Sequence, residues 1–429
     1  MAKTRSFFTR GRRVESVDRI VGESERAGVI MQVAGSSDGA EWIVDGHTYR
    51  NFGSCSYMGL ERHPLLLAGG RAALVEFGSN FSASRIYLEC PLYAELEDTL
   101  EQVMGRPTLV TLSTTYAHLA ALPVLIGDRD LVLLDQFVHA SVHMATDLVA
   151  DVPIELIRHN RMDLLDERLR DAGDHYDKVW YLCDGIYSML GDFAPFERLN
   201  ELLDRYPKLH LYVDDAHSMS VFGKHGRGAA LDQLRHLDRV VVAVSLSKAF
   251  GASGGALSLP TAEMRNRVRR CGGPMIFSGP IAPAGLGCGL ASARLHLTEE
   301  FTDMQLELQE RISYARSLIA QTDLVLATDS ATPIFMRHFD SVPAAQAAVK
   351  GLRQRGFFVC ISTFPAVPLN KPSIRFTMSR HNGFDDIRAL VDALVDVTSS
   401  LGQRPSGASK SSDIIQLLPK STDASAAGA

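Results

Sequence analysis

Short apolar runs alternate with amphipathic stretches through residues 60–290. Thr108–Leu112, Asp130–Leu134, Ile154–Ile157, Lys178–Cys183, Leu209–Val213 and Val240–Leu246 each read as a strand. The segments between them carry helical spacing, and this alternation predicts an α/β domain with a mainly parallel sheet. Val240–Val244 is apolar and largely β-branched, the pattern of an interior strand. Ahead of this region, residues 1–35 read as a charged, partly helical lead-in of the kind that packs across a partner subunit. Glu41–Phe52 reads as a hairpin turning at Asp45–Gly46. After Pro280 one long amphipathic helix, 283–322, is expected to lead into a smaller α+β region. Its strands are expected near Thr332–Arg337, Phe357–Ile361 and Ser373–Met378. The expected organisation is a lead-in and hairpin at 1–59, a large domain at 60–290 and a small C-terminal domain at 291–401. A tail at 402–429, rich in Ser, Ala and Gly, is expected to be disordered.

Charge and cysteine usage narrow the possibilities. A net charge of −6 over 429 residues argues against a broad nucleic-acid-binding face. Cys55, Cys90, Cys183, Cys271, Cys288 and Cys360 are irregularly spaced with no Cys-x-x-Cys pair, so reduced thiols are expected in place of zinc or disulfide chemistry. The basic N-terminus (Lys3, Arg5, Arg10, Arg12, Arg13) has no apolar stretch after it, and no apolar run approaches a membrane span. A cytoplasmic location is therefore expected.

The candidate chemistry collects where strands end. Lys248 follows the strand Val240–Leu246 and precedes Gly251, Gly254 and Gly255, which places an amine at the carboxyl edge of the sheet, where ligands bind in such folds. A desolvated lysine has a lowered pKa and forms Schiff bases with carbonyls, the linkage that holds pyridoxal phosphate. Asp214, at the end of the neighbouring strand, is suited to pair with a protonated pyridine nitrogen. Asp214, Asp215 and His217 lack the companions of a metal site, and adjacent strand residues face opposite ways. Ser245-x-x-Lys248 and Gly251-x-Ser253-x-Gly255 match hydrolase spacings but lack the companion motifs or the strand-to-helix elbow. The turn Ser113–Tyr116 before an apolar helix is either a phosphate seat or an ordinary helix cap. His139 and Ser188 follow two further strands at the same rim.

These residues stand in ordered motifs. Val213-Asp-Asp-Ala-His217, Phe222-Gly-x-x-Gly226-Arg-Gly228, Ser247-Lys-Ala-Phe-Gly-Ala-Ser-Gly-Gly255, Gly185-Ile-Tyr-Ser-Met189, His139-Ala-Ser141, Val367-Pro and Ile374-Arg375 follow one another along the chain. Over Tyr49 to Asp396 the sequence resembles the α-oxoamine synthases, fold-type I pyridoxal-phosphate enzymes. The resemblance implies a decarboxylative condensation of an amino acid with an acyl thioester, carried by coenzyme A or a carrier protein, in a homodimer with its sites at the interface. It further implies that Lys248 holds the cofactor and moves the Cα proton, that Asp214 pairs with the pyridine nitrogen, and that His139 stacks on the ring. His217 and Ser188 would lie near the phenolic oxygen. Ser245, with the N–H groups of Thr115 and Tyr116 and with Ser278 from the other chain, would hold the phosphate, and Arg375 would bind the substrate carboxylate. Four departures stand out. Cys55 occupies the place of a substrate-side asparagine, Ser82-Ala83-Ser84-Arg85 that of a Gly-Gly-Ser-Arg stretch, Thr115 that of a glycine and Gly279 that of a threonine. The competing readings are aldol cleavage or transamination on the same scaffold, and a silent subunit, which would be expected to have lost Lys248.

Overall fold

The computed structural model describes residues 11–149 and 151–401, so the expected tail at 402–429 lies outside the described residues. The strands are β1 Ala34–Ser37, β2 Glu41–Val44, β3 His47–Asn51, β4 Thr108–Thr111, β5 Leu131–Asp135, β6 Ile154–Ile157 and β7 Val179–Asp184. They continue as β8 Leu209–Asp214, β9 Val240–Ser245, β10 Gly255–Ser258, β11 Ile334–His338, β12 Phe357–Phe358, β13 Cys360–Ser362 and β14 Ser373–Thr377. The central sheet has the order β4-β10-β9-β8-β7-β5-β6. Its run from β9 to β6 is parallel. All six strands expected in the large region are present, each within one residue of its expected ends.

Alternate residues of the sheet feed two apolar layers. Leu209, Leu211 and Val213 of β8, with Val240, Val242 and Val244 of β9, pack on one face. Tyr212, Val241 and Ala243 pack on the other, together with Ala117, Ala120 and Ala121 of the helix Thr114–Leu125. Because both faces are covered, the strands read as continuous apolar runs. Truncating a fully buried Leu211 to Ala would cost about 2–5 kcal/mol in lost transfer energy and cavity formation.

Three local expectations differ from the structure. β10 was not anticipated: it pairs antiparallel with both β4 and β9, so the loop bearing Lys248 is the turn of a β9–β10 hairpin. Its four residues lie among glycines and read as part of the turn. The expected helix 283–322 is two helices, Pro283–His296 and Glu299–Ile319. Thr298 separates them, since its hydroxyl donates to Leu295 O at 2.7 Å and accepts from Phe301 N at 3.4 Å, closing one helix and capping the next. The expected strand Phe357–Ile361 is shared between sheets. β12 pairs with β3 of the N-terminal hairpin, and β13 pairs with β14 beside β11. The lead-in hairpin is thereby stitched to the C-terminal region of its own chain.

Behind the site, a histidine joins two loops at the sheet's carboxyl edge. His159 Nδ1 lies 3.0 Å from Asp135 Oδ1, at the end of β5, and Nε2 lies 2.8 Å from Asp192 Oδ2 in the turn after β7. Carboxylates only accept, so both ring nitrogens donate and the ring is an imidazolium. Burial opposes this charge, but the hydrogen bonds and charges of the two aspartates raise the pKa to about 9 from an ordinary 6.5. The folded value exceeds the unfolded one, so the stabilisation is complete below pH 6.5 and is lost as pH rises through about 9. Its size is on the order of 3 kcal/mol. We therefore expect His159→Gln to melt below wild type at pH 6, with a gap that narrows by about pH 9.5. A gap independent of pH in thermal melts would contradict the charged bridge.

Candidate active site

Asp214, Lys248 and His217 meet because β8 and β9 are neighbours in parallel register, with Asp214 opposite Ala243. Beyond β9 the chain folds back on itself: Ser247 Oγ donates to Gly254 O at 3.1 Å and accepts from Gly254 N at 3.0 Å. Gly251 has φ +77°, and a Cβ there would come within 2.6 Å of Leu60 Cβ. Only glycine combines that turn with that approach. Lys248 leaves this tight loop half-buried, with Nζ 2.9 Å from His217 Nε2. His217 in turn meets the buried Tyr57 hydroxyl through Nδ1 at 2.8 Å.

The charges are graded. Burial depresses the Lys248 amine, against the pull of the Asp214 carboxylate. Burial would raise Asp214, yet attraction to and hydrogen bonding from His118, with His139 and Lys248 beyond it, hold it below the usual carboxylate range. Asp184, opposite Asp214 on β7, is driven well above that range by burial and then by Asp214. His217 is kept neutral by burial and by the cations Lys248 and Arg375. Asp215 points away, as strand alternation requires, and accepts from Ala230 N at 3.0 Å.

A second group closes the site from the N- and C-terminal segments. Arg375 on β14 is buried, donates through Nε to Ser188 O at 2.8 Å, and reaches Tyr57 Oη at 3.1 Å and Cys55 Sγ at 3.8 Å. Burial raises the Cys55 pKa, but Arg375 and Lys248 outweigh it and the thiol lies below its ordinary value. A cavity of about 420 Å³ opens here, walled by Trp42, Ser54, Cys55, Ser56, Glu61 and Lys248 among others. His139 keeps an exposed ring, tied by Nδ1 to Ser141 Oγ at 2.6 Å, and its backbone N–H donates to Asp184.

The expected phosphate seat is only partly assembled. The helix Thr114–Leu125 starts beside β10, so close that a Cβ on Gly255 would lie 2.5 Å from Thr114 N. Ser113 is its N-cap, and Tyr116 N–H is donated to Ser113 Oγ at 3.3 Å. The cap reading therefore holds for Tyr116, whereas Thr115 sits in the open first turn. Ser245 Oγ, at the end of β9, accepts from Ser247 N at 3.2 Å. Ser278 is not gathered with Lys248. It lines a cleft with Arg85, Tyr93 and Tyr116, and its hydroxyl donates to Pro274 O at 2.8 Å. A side chain at Gly279 would meet open space. Arg85 is committed to a buried pair with Glu97 at 2.9 Å. Tyr57, His118 and Tyr212 were missed from the sequence. They carry no motif spacing, and only the fold brings them to the site.

Residues 49–394 match the family model for aminotransferase class I and II. The 8-amino-7-oxononanoate synthase of Coprothermobacter proteolyticus is 30% identical over 91% of this chain and 98% of that protein. The chain belongs to the α-oxoamine synthases. The serine palmitoyltransferase of Sphingobacterium spiritivorum is 29% identical over 84% of this chain and 90% of its own. Among solved structures, the Sphingomonas wittichii serine palmitoyltransferase superposes with a TM-score of 0.83 at 24% identity, covering 91% of this chain and 98% of that one. That likeness shows a fold-type I architecture. The enzyme is a pyridoxal-phosphate-dependent transferase, and the residues fit the cofactor: a depressed amine on Lys248 and an ionised carboxylate on Asp214 stand at the ends of adjacent strands, with His217 against the amine. Among the described residues no helix is long and apolar enough to cross a membrane.

The thiol at Cys55 gives a direct probe of this charge field. Cys360 is also half-buried, but burial pushes its thiol up. At pH 7 we expect iodoacetamide to modify Cys55 several-fold faster than Cys360, and Arg375→Met to slow Cys55 selectively. Equal rates by peptide mass spectrometry, unmoved by the substitution, would contradict it.

Proposed function

We propose that this enzyme condenses an amino acid with an acyl thioester, with loss of carbon dioxide, to give an α-amino ketone. Lys248 is the base in this reading. The contact that carries it is Lys248 Nζ to His217 Nε2 at 2.9 Å, within reach of the Asp214 charge. Bound through Lys248, pyridoxal phosphate supplies the electron sink that stabilises negative charge at the substrate α-carbon. Lys248, whose amine burial depresses, would accept the α-proton. Asp214 would pair with the ring nitrogen, and the imidazole of His139 would stack on the ring. Neutral His217 and Ser188 would stand near the phenolic oxygen. Ser245 and the first-turn N–H of Thr115 would hold the phosphate, with Ser278 of the partner subunit, and Tyr116 N–H would join them on leaving the Ser113 cap.

Arg375 binds the substrate carboxylate. Its Nε is already anchored to Ser188 O, which aims the guanidinium and limits the freedom lost on binding. Cys55 stands beside it, where a thiol supplies no amide donor, so the carboxylate depends on Arg375 and the neighbouring Tyr57 hydroxyl. The acyl group arrives as a thioester of coenzyme A or of a carrier protein. A homodimer is supported by apolar exposure around the Ser278 cleft. Tyr87 is 88% and Phe277 86% exposed, and their segments are joined by the Ser84 Oγ bond to Ile276 O at 2.6 Å. An apolar patch of this kind marks an interaction surface.

Glycine, alanine, serine, threonine and glutamate, added singly to the loaded enzyme, should identify the acceptor by a shift in visible absorbance. Product formation should require the thioester, and Lys248→Ala should form none. Arg375→Lys should raise KM for the amino acid at least about tenfold, with little change for the thioester, because a bidentate fork is lost. Turnover of a β-hydroxy amino acid without thioester would replace this reading with aldol cleavage.

A further inference from the structure

Asp214 does not stand alone at the end of β8. Tyr212 precedes it by two residues and shares its face of the strand, beneath the helix Thr114–Leu125. From that helix, one turn past its start, His118 descends between them and is wholly buried. Its Nε2 lies 3.0 Å from Asp214 Oδ2 and its Nδ1 2.8 Å from the Tyr212 hydroxyl. Asp214 Oδ1 accepts from Ala216 N at 3.1 Å. The carboxylate is thus gripped at both oxygens.

We propose that His118, braced by Tyr212, is a positioning residue that fixes the Asp214 carboxylate as the partner of the ring nitrogen of bound pyridoxal phosphate. This rests on the role given to Asp214 above. The geometry imposes a direction. An ionised carboxylate only accepts, so Nε2 carries a proton and donates to Oδ2, while Nδ1 is held by the Tyr212 hydroxyl. Burial and then the neighbouring Asp214 charge hold the Tyr212 hydroxyl well above its ordinary pKa, so it stays a donor. The chain Tyr212 to His118 to Asp214 therefore braces the imidazole against the carboxylate, whose other oxygen is held by Ala216 N. Aromatic packing reinforces the arrangement, with the His118 and Tyr212 rings 5.6 Å apart and edge-on at 67°. An Asp214 released from this grip would lose the attraction that keeps it ionised beside Asp184.

The test is the 15N chemical shift of pyridoxal phosphate labelled at its ring nitrogen, with the cofactor dissociation constant measured alongside. Wild type should bind the cofactor and show a protonated nitrogen at pH 8. His118→Phe should move the shift toward the unprotonated value and weaken cofactor binding roughly tenfold, the loss of one charge-assisted hydrogen bond. His118→Gln, which keeps an N–H donor, should restore most of both. Tyr212→Phe removes only an oxygen and should move both readings in the same direction by less. It decides the matter if His118→Phe does not fold. A merely structural role would leave the nitrogen shift of folded variants unchanged, and that result would overturn the inference. If wild type itself binds no cofactor, the functional reading falls as well.

Discussion

Burying the carboxylate of Asp214 at the end of β8 would be unfavourable by several kcal/mol if it were left unpaired. The fold answers with His118 at 3.0 Å, an Ala216 amide at 3.1 Å and the nearby cation of Lys248. The remaining electrostatics follow from that one stabilised charge. Asp184, its neighbour across the register, is pushed toward the neutral form by burial and then by that charge. Lys248 feels both the pull of Asp214 and the larger effect of burial, and the balance leaves its amine depressed. A site with a carboxylate at one end and an amine of depressed pKa beside it is thereby built into the fold.

The second half of the site is drawn from distant parts of the chain. Tyr57 links His217 on one side to Arg375 on the other, at 2.8 and 3.1 Å. The pairing of β12 with β3 and the bond from Thr377 N to Phe52 O at 2.8 Å bring those segments together. The residues proposed to bind substrate and to move the proton thus share one hydroxyl, and any shift of the N-terminal hairpin against the C-terminal sheet would reach Lys248 through His217. Behind them, the His159 bridge ties the loop of His139 to the turn of Ser188. One imidazolium thus joins the end of β5 to the turn that follows β7.

Much of this was legible in the residues because a strand covered on both faces is an uninterrupted apolar run, and polar residues at its end stand out. Lys248, Asp214, His217 and His139 were visible in that way. Cys55 and Arg375 were placed only by resemblance, since neither ends a strand of the central sheet. His118 was hidden within an apolar helix, where a histidine carries no spacing signal. Tyr212 and Tyr57 looked like ordinary core aromatics. β10 was lost because a four-residue strand among glycines reads as a turn. The break at Thr298 was written in a threonine followed by two glutamates, a helix-start signal obscured by apolar spacing on both sides.

The central claim is that Lys248 is the residue that carries the cofactor. Borohydride reduction of the enzyme loaded with pyridoxal phosphate, followed by digestion and peptide mass mapping, tests it directly. The account predicts a pyridoxyl group on Lys248 in stoichiometric yield. A label on another lysine, or none on Lys248 from protein that has demonstrably bound the cofactor, would contradict it.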